Sequence, residues 1–254
     1  MRASAVPVTA LALATMLALA PSTSRAAQPA DAHALALGMD RAGHTAGTRV
    51  RATLSAIAPT PDGEGGAAPA PLARITLRAR ADAGRRTLRL DASSGGGTRT
   101  VLLASGPDGA LQATAPDGSP VDASAPMVEG VLAPIDLSGA WWRWSAQRIA
   151  GRGRVLGRDC TLLESSRPAA RGEAPSAIRR VRSCVAEGVH VPLRVELFGS
   201  GGEALRRVEA LRLQRLDDGR QVAASVLLQR AGDAALRLDA YAVDTDRRGS
   251  GDTP

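Results

Sequence analysis

The sequence predicts a mainly β protein: one large antiparallel sheet that buries its apolar side under short helical pieces. Three observations predict it. From Gly47 onward apolar residues recur with a period of two, the spacing of a half-buried strand. Asp-Gly, Pro-Asp-Gly and multiple-glycine steps separate these runs, and such turns join antiparallel neighbours because glycine takes the positive φ they need. Two stretches alone read as helix, Asp31–Gly43 and the segment carrying all three tryptophans. A long meander must bury one face, and it can close into a barrel, fold into a sandwich or curl around helices. Two short helices beside so many strands favour the curled sheet with helical lids.

The elements follow in order. Arg2, an apolar run over residues 5–20 and small residues at Ser24 and Ala26 make residues 1–26 a cleaved secretory signal. The run is short for a bilayer span of about 20 residues, and no cysteine follows it for lipid attachment. The chain is therefore expected to be exported. Asp31 caps and Gly43 stops a helix with Ala32, Leu35, Met39 and Ala42 on one face. Thr60–Pro71 is rich in Pro, Gly and Ala and reads as a loop. Strands are expected around residues 48–57, 72–81, 86–91, 98–104 and 109–115, with turns at Gly95-Gly96-Gly97, Pro107-Asp108-Gly109 and Pro116-Asp117-Gly118. Later strands are expected at 154–156, 159–164, 179–186, 191–198, 205–216, 221–229 and 235–243. Along one of them Val191, Leu193, Val195 and Leu197 face one way, while Arg194 and Glu196 face the other. Residues 205–216 also fit a helix, since Leu205, Val208 and Leu211 are three apart; the bounding turns favour a strand. Residues 27–246 form one domain, and 247–254 a disordered tail.

Composition excludes several classes. The chain of 254 residues carries 32 basic and 25 acidic side chains, a formal charge of +7 that falls to +5 without Arg2 and Arg25. All the basic residues are arginine, and they alternate with aspartate and apolar residues instead of forming a block. With three Trp, one Tyr and one Phe, there are no aromatics interleaved with arginine to stack bases, so nucleic acid is not an expected partner. The three histidines (His33, His44 and His190) are scattered, and no metal or other cofactor is expected. His190, ahead of Pro192, reads as a solvent-facing β residue. No Gly-x-Ser-x-Gly elbow and no P-loop lysine occurs. Asp217-Asp218 precedes a glycine, which is turn usage. No positioned acid, base or nucleophile emerges, and an enzyme is not expected. Cys160 and Cys184, the sole cysteines of an exported chain, read as a disulfide.

In the second half, four motifs occur in order. Asp136–Ala140 is DLSGA, Val155–Ser165 is VLGRDCTLLES, Arg179–Val185 is RRVRSCV, and Val191–Arg206 is VPLRVELFGSGGEALR. Together they resemble the LolA-like proteins of the outer-membrane lipoprotein-sorting type, over a little under half of the chain. Two positions depart from that pattern: Cys184 stands in place of a tryptophan, and Gly199 in place of an aspartate. The resemblance implies an incomplete, strongly curved antiparallel barrel whose apolar concave face lies under short helices. It also implies a periplasmic carrier or chaperone for lipid or lipoprotein acyl chains. An alternative is a non-enzymatic interaction module, a lipoprotein sensor or an accessory subunit of an envelope exporter. The implied partners are acyl chains and an inner-membrane transporter, with the protein itself a monomer.

The tryptophans then read as part of a lid. On a helix capped by Asp136 or Ser138, Trp141 and Trp144 share one face and plug the cavity, with their indole N–H groups at its rim; Trp142 points elsewhere. The other reading is that they complete an ordinary core. Expected cavity and lid residues are Leu35, Met39, Trp141, Trp144, Val191, Leu193, Val195 and Leu197.

Overall fold

The computed structural model describes residues 31–43, 47–57, 70–82, 85–128, 132–168, 178–186 and 188–245. The expected signal, most of the Pro/Gly-rich loop and the tail lie outside the described residues.

The helix forms as the caps predict: α1 spans Ala32–Gly43, and the Asp31 carboxylate accepts the His33 backbone N–H at 2.9 Å. Its buried face is turned slightly from the expected one. Ala36, Met39 and Asp40 are buried, Ala32 and Leu35 are half-buried, and Ala42 is exposed.

Twelve strands follow: β1 (Thr48–Ala56), β2 (Pro71–Asp82), β3 (Arg85–Ser94), β4 (Gly97–Ser105), β5 (Leu111–Thr114), β6 (Ala146–Val155), β7 (Arg158–Ser166), β8 (Arg180–Ala186), β9 (Pro192–Phe198), β10 (Ala204–Arg215), β11 (Gln221–Arg230) and β12 (Leu236–Thr245). The ambiguous segment is thus strand, over Ala204–Arg215, as the bounding turns argued. β6 begins eight residues before the expected Arg154, because its glycines, Gly151 and Gly153, hide the alternation.

All twelve strands belong to one curved antiparallel sheet that does not close, ordered β5-β4-β3-β2-β1-β12-β11-β10-β9-β8-β7-β6. Each strand pairs with its chain neighbour except at the centre, where β1 pairs with β12. The two edges are β5 and β6, which are successive in sequence. The connection between them must therefore cross the mouth of the curl, and it is this connection that carries the tryptophans.

The inner face is filled in two parts. Leu54, Ile75, Leu88, Leu90, Leu103, Leu228 and Leu236 pack with Met127, Val128 and Leu132 of the crossing segment. Ala36 and Met39 of α1 pack with the three tryptophans over Leu163, Val181, Val185, Val195 and Leu197. A third, smaller cluster surrounds the disulfide between Cys160 and Cys184. No described helix is long and apolar enough to cross a membrane.

Candidate functional site

The expected tryptophan helix is replaced by two 3-10 turns, Pro134–Leu137 and Ala140–Arg143. Gly139 between them takes the left-handed conformation, φ 60°, which breaks the helical register. Asp136 does not cap a tryptophan helix. It accepts the Ala133 N–H at 2.9 Å and pairs with Arg206 of β10 at 3.0 Å, and Arg206 also donates to the Ser124 carbonyl at 2.6 Å. This buried pair fastens the crossing segment to the sheet. Burial lifts the Asp136 carboxyl from 3.8 to about 6, against the lowering pull of Arg206.

A second buried cluster fastens α1. Asp40 pairs with Arg86 of β3 at 2.6 Å and with Arg143 of the second turn at 3.0 Å. Arg143 also donates to the Gly106 carbonyl at 3.1 Å. Burial holds the Arg86 guanidinium below its usual pKa, although Asp40 pulls it up. Helix, turn and β3–β4 ribbon therefore meet at a single carboxylate.

All three indoles are buried. Trp142 does not point away: its N–H donates to the Ser183 hydroxyl of β8 at 3.2 Å, and its ring meets Trp141 edge-on at 5.5 Å. Nor does the Trp141 N–H reach an exposed rim, for it is buried without a hydrogen-bond partner among the described residues. Gln147 holds the turn from below. Its amide donates to the carbonyls of Trp141 and Trp144 at 3.0 and 2.8 Å, and accepts from the Ser165 hydroxyl at 2.7 Å. The turn before β5 closes against the plug at Gly109, φ 76°. A Cβ there would lie 2.5 Å from the Ala140 carbonyl and 2.7 Å from the Trp144 ring.

Beside this plug lies a cleft of about 870 Å³, towards the upper end of the roughly 300–1,000 Å³ typical of ligand pockets. Leu111 and Ala113 of β5, Val121, Ala123 and Ile135 of the crossing segment, and Trp141, Trp144 and Ile178 line it. Asp108, Asp122, Ser124, Ser145 and Arg167 add polar groups to the lining. The Arg167 guanidinium lies 5.5 Å from the centre of the Trp144 ring, and its Nε donates to the Ile178 carbonyl at 3.1 Å. The arrangement offers an apolar trough with polar and charged groups in the same lining, and among the described residues no cluster suits a metal ion.

Of the eight expected cavity residues, Trp141 and Trp144 line this cleft. Leu35, Met39, Val195 and Leu197 pack in the core with the tryptophans. Leu193 belongs to the disulfide cluster, because the β8–β9 pairing slips between Cys184 and Val185 and breaks the expected alternation. Val191 is buried just before β9. His190 is exposed, in a left-handed turn conformation of φ 49° and with its ring against Gly38 of α1. The cleft wall from β5 and the crossing segment escaped sequence reading. Its residues are small and spread over short turns, and no periodicity marks them.

A curved, unclosed antiparallel sheet with a helix and turn plug on its concave face is the LolA-like fold. No family model matches the sequence, and no curated protein matches it. Solved structures do. A putative outer membrane lipoprotein-sorting protein domain from Vibrio parahaemolyticus superposes with a TM-score of 0.63 at 13% identity, covering 86% of this chain and 94% of its own. A DUF1329 family protein from Desulfovibrio piger gives 0.62 at 15% identity, covering 86% and 93%. The LolA superfamily protein NE2245 from Nitrosomonas europaea gives 0.57 at 14% identity, covering 88% and 94%.

Proposed function

We propose that the protein is a non-enzymatic periplasmic carrier or chaperone that takes lipid or lipoprotein acyl chains into the cleft beside Trp141 and Trp144, in outer-membrane lipoprotein sorting. The observation that carries this reading is the cleft itself: about 870 Å³ of space walled by Leu111, Val121, Ile135, Trp141, Trp144 and Ile178. Burying a methylene recovers ~0.8 kcal/mol, so a chain of about 16 carbons gains roughly 12 kcal/mol before costs. A carrier that kept all of this would not release its cargo. The plug supplies the opposing cost, since widening the cleft separates the Gly109 turn from Trp144. The protein acts as a monomer and hands its cargo to or from an inner-membrane transporter.

The tryptophans are too deep to be the test, because removing a buried indole costs about 3–5 kcal/mol of stability. Filling the space is cleaner. Ala123→Trp is expected to weaken binding of a fluorescent fatty acid by at least about tenfold, some 1.4 kcal/mol, while the melting temperature stays near that of the parent. Unchanged affinity in a folded variant overturns the reading. Protein isolated from its native envelope should also carry acylated molecules by native mass spectrometry.

A further inference from the structure

We propose that the outer face of β1–β5, opposite the cleft, is a docking surface for anionic phospholipid headgroups, built on arginines that outnumber the carboxylates among them. The register carries the proposal. Arg49 of β1 stands directly across from Arg78 of β2, and Arg78 directly across from Arg89 of β3. Like charges directly opposed across strands are destabilising; in the other half of the sheet Arg206 and Arg230 oppose each other between β10 and β11, but its longest charged row alternates. There the cross-strand row runs Arg148, Glu164, Arg182, Glu196, Arg207, alternating in sign over five strands. That row cancels its charge, whereas Arg49, Arg78 and Arg89 bring three cations side by side.

The arginines outnumber the carboxylates in register with them, which are Asp244 of β12 opposite Arg49 and Asp82 opposite Arg85. Among the described side chains of the outer face of β1–β5, Asp91 is the one carboxylate. It is shared between Arg78 at 3.4 Å and Arg89 at 2.9 Å, and it accepts the Thr100 hydroxyl at 2.8 Å. Arg51 is balanced by Asp244 of β12. Arg49, Arg80 and Arg85 have no ion pair among the described residues. Arg78, Arg80, Arg85 and Arg89 enclose a groove of about 460 Å³, with Leu102 of β4 exposed to 36% beside them.

The chemistry that fits is a sheet of phosphodiesters. Guanidinium groups bind phosphate oxygens in bidentate fashion. Strands about 4.8 Å apart place Arg49 and Arg89 roughly 10 Å from each other, a span that several headgroups fill together and a single small anion does not. Leu102 offers an apolar contact between the charges. The face is independent of the cleft, so the protein can touch a membrane without blocking its own cavity.

The test is co-sedimentation of the purified protein with vesicles of mixed phosphatidylglycerol and phosphatidylcholine, against vesicles of phosphatidylcholine alone. The parent should bind the anionic vesicles preferentially and lose them in high salt. The triple variant Arg49→Ser, Arg80→Ser, Arg85→Ser removes cations that hold no ion pair among the described residues, and should bind on the order of a hundredfold more weakly, from the contribution of each basic residue near such a surface. Arg158→Ser, Arg212→Ser, Arg215→Ser makes the same charge change elsewhere and should bind as the parent does. Equal loss in both triples, no preference for the anionic vesicles, or binding to soluble polyanions alone each overturns the proposal. Fatty-acid binding should survive the first triple and vesicle binding should survive Ala123→Trp, so this proposal and the carrier reading fail separately.

Discussion

Asp136 shows how a single buried carboxylate sets a pH dependence. One of its oxygens meets Ala133 and Arg206, while the other is buried without a partner. Its pKa stands at about 6 in the folded protein, against an ordinary 3.8. Between about pH 4 and 6 the folded state therefore holds a proton that the unfolded chain has already lost. The stability this gives is complete below about pH 4 and is lost as pH rises through about 6. At one pKa unit per 1.36 kcal/mol, the change amounts to roughly 3 kcal/mol. Urea unfolding of the parent and of Asp136→Asn between pH 4 and 7 checks it: the difference should move against the parent by about that amount. A difference independent of pH would show that Asp136 is ionised throughout, held by Arg206.

At the scale of elements, α1 depends on one carboxylate. Asp40 faces the buried Arg86 of β3 and the half-buried Arg143 of the second 3-10 turn, and removing one partner of a buried ion cluster costs about 3–5 kcal/mol. Asp40→Ala should lower stability by that order and raise hydrogen exchange over residues 32–43 before the sheet opens. The disulfide acts elsewhere. It joins adjacent strands β7 and β8 across a separation of 24 residues, for which loop closure gives roughly 3 kcal/mol. Cys160→Ser with Cys184→Ser should lower the unfolding free energy accordingly while leaving helix exchange unchanged, since Cys160 and Cys184 pack in a cluster apart from α1.

The whole molecule depends on the seam between β1 and β12. That pairing joins the β1–β5 half of the sheet to the β6–β12 half, with Leu54 opposite Leu238 and Ala56 opposite Leu236. Leu228, Leu236 and Leu238 also complete the larger inner cluster. A chain ending at Gly232 should therefore lose the single cooperative thermal transition of the intact protein, and should not simply melt a few degrees lower. Calorimetry of the two chains decides this. The same topology explains the plug, because the strands at the two free edges are consecutive and their link has to pass over the hollow between them.

The sequence by itself determined that the chain is one long antiparallel meander, and it placed α1, the hairpin turns and the paired cysteines. Alternation and glycine turns are local signals, and they mark Leu88 and Leu90 or Val195 and Leu197 as inward-facing without reference to anything distant. Where the pattern weakens, at the glycines of β6 and at the slipped register that turns Leu193 aside, local reading lost the strand or the face. Tertiary structure decided what the tryptophans do. Gly139 breaks their helix, Ser183 captures Trp142, and Asp136 meets Arg206 across 70 residues. The cleft walls likewise come together only once β5 and the turns around Ile135 and Ile178 are adjacent. Those contacts depend on where the sheet curves and which edges face each other, and no spacing along the chain encodes a distance through space.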